Sequence, residues 1–166
     1  MLSLERILID GLLLSLALGI VIFGSLIYNP RLWLQDYPVE LRRQVPPNTK
    51  QEKRLQAAMM VPFLLLMFGI PFVSGLQLKA MNGGTLPFLT AYLHVFLITN
   101  IFNLFDAAVI DYLVLTVMKP KFMVLPGTES LNYAEYMTLT LQVKNYFKGI
   151  VFCAILSLPI AAVLML

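Results

Sequence analysis

The chain has 166 residues, of which 59% are hydrophobic and 13% are charged, with a formal net charge of +3 at pH 7. A mean hydropathy of +0.81 excludes a water-soluble fold. The 12 basic residues are scattered among apolar runs rather than gathered on an aromatic-interleaved face, which excludes nucleic-acid binding. The single cysteine, Cys153, excludes an intramolecular disulfide, a CxxC redox pair and a cysteine-rich metal site.

Four apolar segments are long enough to cross a bilayer, which requires about 20 residues in helical form. They are residues 7–28, 55–78, 87–118 and 150–166. The first segment is predicted to be retained, because its apolar run is longer than a signal-peptide core and lacks both a net-basic start and an A-x-A site. The sequence therefore predicts an all-α integral membrane protein with four transmembrane helices in one domain.

The first span contains small residues at every fourth position, Gly11, Ser15 and Gly19. This spacing predicts close packing against another helix. Asp10 lies about one turn into the span, and we expect it near the outer membrane surface without a special role.

The distribution of Lys and Arg predicts the orientation. Residues 29–54 contain six of them and residues 119–148 contain four, whereas the N-terminus has only Arg6 and the turn after the second span has only Lys79. Because basic residues accumulate in cytoplasmic loops, both long connections are predicted to be cytoplasmic and both termini outside (N-out/C-out).

The two remaining connections differ in character. Asn82, Gly83 and Gly84 predict a tight turn with flexible or left-handed backbone between the second and third spans. After the turn signal Pro126-Gly127, residues 133–147 show a helical spacing of aromatic and apolar side chains, but a shorter part of them also alternates as a strand would. The absence of a partner strand favours an amphipathic interfacial helix before the fourth span.

The third span carries five polar residues: His94, Asn100, Asn103, Asp106 and Asp111. At ~100° per residue, all of them except His94 fall within an arc of roughly 140°. An ionised carboxylate at mid-membrane costs roughly 2.5 to 3.5 kcal/mol on insertion scales, so this face is expected to avoid lipid. Asp106 is therefore the best candidate for a group that binds a proton or a cation.

Each of these residues also has a structural interpretation. The two asparagines can join helices by hydrogen bonds or line a path, and the first role is favoured. Asp111, near the end of the span, is expected to be structural, and a lone histidine such as His94 is more often a satisfied core residue than a ligand. For Asp106 a functional role is favoured.

Several chemistries lack support in the sequence. It contains no phosphate-binding loop, dinucleotide motif, HExxH or GxSxG motif, so it gives no support for nucleotide binding, zinc chemistry or a serine triad. Asp106 and Asp111 are five residues apart and would lie ~140° apart around an α-helix, which suits a shared metal poorly. The sequence therefore predicts no metal site and indicates no particular cofactor.

Three stretches, NPRLWLQDYP, NLFDAAVIDYL and KPKFMVLPGTE, mark the chain at intervals. With these stretches, most of the chain resembles an uncharacterised group of small prokaryotic four-helix membrane proteins. The resemblance implies the four-helix architecture and no particular activity. The expected location is the cytoplasmic (inner) membrane of a prokaryote, with multiple passes.

The favoured functional hypothesis is transport or permeation of a proton, a cation or a small solute. Asp106 would be the titrating or cation-binding group, with Asn100 and Asn103 as neutral ligands. Because four helices enclose little room, a path is expected within or between the subunits of a homo-oligomer or a larger membrane complex.

Two alternatives remain open at this point. The first is a membrane enzyme acting on a lipid or prenyl substrate at the cytoplasmic face, with Asp106 or Asp111 as acid, base or metal ligand. The residues expected to hold an anionic headgroup are then Arg42, Arg43 and Lys121. The second is an accessory or assembly subunit of a larger complex, whose basic connections serve as docking surfaces.

Overall fold

The computed structural model describes residues 2–166, and every regular element in that range is helical. The long helices are α1 (Leu4–Tyr28), α3 (Lys50–Met81), α4 (Phe88–Phe105) and α6 (Leu139–Leu164). A π-helical stretch, Asp106–Met118, continues α4 without a break, and we refer to it as the π segment. The short elements are 3-10 turns at Pro30–Asp36 and Lys121–Met123, with α2 at Val39–Arg42 and α5 at Tyr133–Tyr136.

Four helices in the described chain are long and apolar enough to cross a membrane: α1, α3, α4 with the π segment, and α6. This confirms the prediction of four spans. Large apolar side chains such as Leu12, Leu16 and Ile20 are exposed on the outside of the bundle, where lipid would cover them.

The helices begin earlier than the apolar runs alone predict. α3 begins at Lys50 because Thr49 and Glu52 form a reciprocal capping box at its N-terminus. α6 begins at Leu139, after Thr138 caps its first turn. Residues 133–147, predicted as one amphipathic helix, are instead divided: Tyr133–Tyr136 form α5, the helix is interrupted at residues 137–138, and residues 139–147 form the first turns of α6. Their position at a membrane surface stays a prediction.

Small residues allow close approach of the helices. A Cβ added at Gly11 would lie 2.6 Å from Ile101 Cδ1, and one added at Gly19 would lie 3.4 Å from Phe105 Cε1. The predicted packing face of α1 is thus confirmed, and its partner is α4. Gly149 of α6 lies in the same way against Asn103 of α4. α4 is therefore the helix around which α1 and α6 pack.

The bundle has two chemically different ends. At the first, Arg6 Nη1 lies 3.5 Å from Met81 Sδ, which places the N-terminus beside the short turn of residues 82–87. At the second, the Tyr37 hydroxyl donates to the Met123 carbonyl at 2.7 Å and joins the two long connections. We call them the terminal end and the connection end. Which end faces the cytoplasm stays a prediction.

The turns follow the expected glycine chemistry. Gly83 and Gly84 have φ values of 77° and 84°, in the left-handed region that glycine adopts without strain. At the predicted second turn, Gly127 has a φ of 89°. The Tyr133 hydroxyl accepts from Leu125 N at 2.8 Å and so fastens the residues around this turn.

Arg31 holds the first long connection against the bundle. Its Nε lies 2.6 Å from Glu52 Oε1, at the start of α3, and its Nη2 donates to the Pro46 carbonyl at 2.8 Å. A planar guanidinium can make both bonds at once because its donors diverge in a fixed fork. The adjacent 3-10 turn is thereby held over the connection end of the helices.

Candidate functional site

A cavity of ≈ 460 Å³ lies at the connection end, between α1, α3, the π segment, α6 and the first long connection. Its charged and amide-bearing side chains come from three different parts of the chain. They are Gln35, Asp36, Asp106, Asp111, Asn145 and Lys148. This is the place in the fold where most of the polar side chains meet inside an otherwise apolar bundle.

The π segment brings Asp106 and Asp111 to one side of the helix. In π-helical geometry each N–H bonds to the carbonyl five residues earlier, so side chains five apart lie on one face. Asp106 and Asp111 are five apart, as are Ile110 and Leu115, and all four line the cavity. The predicted separation of ~140° between the two aspartates was therefore wrong, because it assumed regular α-helical turns over residues 106–118.

Hydrogen bonds maintain these wide turns. Thr116 Oγ1 donates to the Asp111 carbonyl at 2.8 Å, five residues back, and Lys119 N donates to the Val114 carbonyl at 2.9 Å. Lys119, with a φ of 47°, then turns the chain out of the helix. π-helical turns are rare and occur preferentially at functional sites, so their position under the two carboxyl groups supports this cavity as the site.

Aromatic rings form the apolar wall of the cavity. Trp33 meets Phe63 edge-on at 6.0 Å between ring centroids, and Phe63 meets Phe102 at 6.3 Å. The Trp33 indole nitrogen donates to Ser25 Oγ at 2.7 Å, which fixes the orientation of its ring. The wall is therefore rigid, and it belongs partly to the first connection.

Tyr37 also lines the cavity, and its side chain is buried. Burial, with Tyr133, Asp36 and Asp111 nearby, raises the pKa of its phenol well above the usual range. The hydroxyl thus stays protonated and can donate to the Met123 carbonyl.

The cavity has more acidic than basic groups. Its lining contains three carboxyl groups and one ammonium group, Lys148. Asp106 is close enough to both Asp36 and Asp111 for mutual electrostatic repulsion. Within residues 2–166 the ion pairs are Arg6–Asp10 and Arg31–Glu52, so none of the three cavity carboxylates is paired with Lys or Arg. Such a site attracts protons or cations.

Asp36 lies at the mouth of the cavity, and one side of the residue is open to solvent. Desolvation of its carboxyl group by surrounding protein atoms raises its pKa from 3.8 to about 6, opposed by a hydrogen bond from Gln35 and the charge of Arg42. Because the pKa is raised, Asp36 contributes folding stability that is fully present below pH 3.8 and lost as the pH rises through about 6.

We predict that cation binding strengthens as the pH rises through about 6, because Asp36 gains its negative charge there. Titration of the purified protein with tetramethylammonium, a cation that carries no titrating proton, measures this. Asp36→Asn should remove the step in affinity near pH 6 while leaving binding at lower pH unchanged. A step of equal size in Asp36→Asn would contradict the prediction.

The two asparagines of the predicted polar face lie outside the cavity lining. Asn103 Nδ2 donates to the Tyr146 carbonyl of α6 at 3.2 Å, which is the structural role favoured from the sequence. Asn100 is half-buried, and its amide makes no hydrogen bond with the described residues. The four residues expected on one face are thus divided, with the two aspartates in the cavity and the two asparagines outside it.

His94 belongs to a separate polar cluster toward the terminal end. It is fully buried, and its Nε2 lies 2.7 Å from Ser74 Oγ, which in turn lies 2.5 Å from Asp10 Oδ2. Arg6 Nε is 3.4 Å from the same carboxylate oxygen. Asp10, expected to have no special role, is therefore part of a buried network, and Ser74 was missed because a single serine in an apolar span forms no pattern.

The basic residues proposed for an anionic headgroup are placed differently from expectation. Arg42, Arg43 and Lys121 are exposed and do not line the cavity. Lys148 lines it instead, about one turn after Lys144 on α6, within the range 119–148 that the sequence predicts as a connection. Asp36, Gln35 and Asn145 were also missed, since no sequence signal places a connection residue against a particular helix.

Among residues 2–166, no group of three or more His, Cys, Asp or Glu residues is arranged to hold a metal ion. No protein-family model, curated protein or solved structure matches the chain. The resemblance to small prokaryotic membrane proteins and the predicted inner-membrane location therefore stay expectations.

Proposed function

We propose that the protein binds a cationic solute in the connection-end cavity and moves it across the membrane. The observation that carries this proposal is the pairing of Asp106 and Asp111 on one face of the π segment, in a cavity where Asp36 adds a third carboxyl group and only Lys148 is basic. With all three carboxyl groups ionised and Lys148 protonated, the cavity lining has an excess of two negative charges. A cation balances this excess.

The walls of the cavity favour an organic ammonium ion over a bare metal ion. The rings of Trp33, Phe63 and Phe102 have negative π faces, which attract organic cations, while the carboxylates supply charge. A volume of ≈ 460 Å³ is far larger than an unhydrated ion needs. Small binding sites of this size are usually apolar with a few convergent polar groups, which is the composition found here.

Movement across the membrane requires a second conformation. Val95 and Ile98, both with 0% exposure, lie along α4 between the cavity and His94. They form an apolar barrier on the side of the terminal end. We propose that this barrier opens by displacement of α1 or α6 from α4, or that the path continues between the subunits of a homo-oligomer.

The test uses purified protein in sealed vesicles, with protons, K⁺ and tetramethylammonium as the probe cations. The proposal requires at least one of these cations to cross at least tenfold faster than in protein-free vesicles, and to bind the detergent-solubilised protein. If no probe binds and none crosses, the proposal is overturned.

A second candidate function is an enzyme acting on a lipid or prenyl substrate. The observation that favours it is that the cavity lies at the connection end rather than across the bundle, with Asp106, Asp111 and Lys148 in one wall. Asp106 or Asp111 would act as the acid or base, and Lys148 would contact an anionic headgroup. Turnover by detergent-solubilised protein, without sealed vesicles, distinguishes this function from transport.

A further inference from the structure

A continuous hydrogen-bonded chain crosses three helices near the terminal end. It runs from Asp10 on α1 through the Ser74 hydroxyl on α3 to the His94 imidazole on α4. Ser74 and His94 are 2% and 0% exposed, so bulk water does not compete for the bond between them, whereas the Asp10 side chain is partly exposed. The chain is separate from the cavity, whose lining includes none of these residues.

The geometry determines the direction of each bond. Asp10 is paired with Arg6, and its distance of 2.5 Å to Ser74 Oγ is typical of a hydroxyl donating to an ionised carboxylate. Since a serine hydroxyl has only one proton, Ser74 must accept the bond from His94. The imidazole therefore carries a proton on Nε2, and in the neutral ring Nδ1 carries the lone pair.

His94 Nδ1 is the open end of this chain. It is buried and has no hydrogen-bond partner among the described residues. Buried polar atoms nearly always have a hydrogen-bond partner, so the exception at the end of this hydrogen-bonded chain requires an explanation. Of the groups on neighbouring helices, Asp10 and Arg6 from α1 act electrostatically on the imidazole, while α3 contributes the uncharged Ser74.

We propose that Asp10, Ser74 and His94 form a proton relay between the terminal end and the buried Nδ1 atom. A hydronium ion that reaches His94 gives a proton to Nδ1 and becomes water. The Nε2 proton then passes to Ser74 Oγ as the Ser74 hydroxyl proton passes to Asp10 Oδ2. One proton has entered at Nδ1 and one has arrived at Asp10. The imidazole is again neutral, now with its proton on Nδ1, and Nε2 accepts from Ser74.

The sequence of transfers must begin with proton uptake at Nδ1, because a proton that binds Asp10 first leaves the Nε2 proton in place and Asp10 unable to accept the proton of Ser74. A single proton uptake therefore moves the imidazole proton from Nε2 to Nδ1 without accumulation of the imidazolium ion. An isolated histidine behaves differently, since acid converts it directly to the doubly protonated form. This difference provides the test, which does not depend on the proposed cation transport.

His94 is the only histidine of the chain, so ¹⁵N-histidine labelling gives one pair of ring-nitrogen signals. In lipid nanodiscs, wild-type protein should carry the proton on Nε2 at high pH and transfer it to Nδ1, still as neutral imidazole, on acidification. Ser74→Thr keeps the hydroxyl and should keep the transfer. Ser74→Ala and Asp10→Asn should abolish it.

The relay is overturned if wild-type His94 keeps its proton on Nε2 throughout the titration or becomes imidazolium without passing through the Nδ1–H form. It is also overturned if the transfer persists in Ser74→Ala. Should the alanine and asparagine variants fail to fold, the wild-type titration alone still decides. Because the readout is the position of a proton, failure of the relay is distinguishable from failure of cation transport.

Discussion

Asp106→Asn is expected to weaken tetramethylammonium binding by roughly 10-fold to 100-fold and to reduce cation flux to the level of protein-free vesicles. The amide has nearly the same shape as the carboxyl group but carries no charge. At an effective dielectric constant of ~20, two opposite unit charges roughly 6–10 Å apart attract each other by about 1.7–2.8 kcal/mol, which corresponds to this range of affinity. Equilibrium binding in detergent and flux in sealed vesicles measure the two effects separately.

A matched control is Glu40→Gln, which also removes one carboxylate near the connection end. Glu40 is exposed on α2 and does not line the cavity, so binding should stay within about twofold of wild type. Asp111→Asn should act in the same direction as Asp106→Asn, since both side chains line the cavity. If Asp106→Asn binds and transports like wild type, the cavity is not the cation site.

Gly149→Ala is expected to lower the free energy of unfolding by about 1–3 kcal/mol, the usual cost of overpacking. A Cβ at this position would overlap the Asn103 amide, which lies directly over the glycine. The contact also positions Asn103 for its bond to the Tyr146 carbonyl. Denaturant titration in mixed micelles measures the loss.

Gly69→Ala is the matched control, because a Cβ at Gly69 in the middle of α3 meets nothing within 4 Å. Its unfolding free energy should be unchanged or higher by up to about 1 kcal/mol, since alanine favours the helix. The double variant Asn103→Ala/Gly149→Ala should recover part of the loss, because the amide that would overlap is gone. Equal destabilisation at Gly149 and Gly69 would show that the contact with Asn103 is unimportant.

Much of the fold is predictable from the sequence because it depends on properties that a linear pattern records. The length of an apolar run determines whether it can span a bilayer, and all four spans are present. Left-handed backbone at Gly83 and Gly84 follows from a glycine pair between two long helices. The predicted starts of α3 and α6 were less accurate, because each helix extends past its apolar run into a capped polar turn.

The candidate site was only partly predictable. Asp106 and Asp111 stand out because carboxyl groups are rare in apolar spans, and both line the cavity. The prediction of their relative position was wrong, because the amino-acid composition does not show that α-helical turns change to π-helical turns here. Asp36 could not be assigned to the site, since its position depends on how Arg31 fastens the first connection to α3.

Each turn of the π segment holds about one residue more than an α-helical turn. If one residue between Asp106 and Asp111 were removed, the two aspartates would be four apart, and an ordinary α-helix would present them on the same face. A shorter chain could thus build the same cavity wall without wide turns. The additional residue between the two aspartates and the wide turn that contains it are therefore two parts of a single structural change.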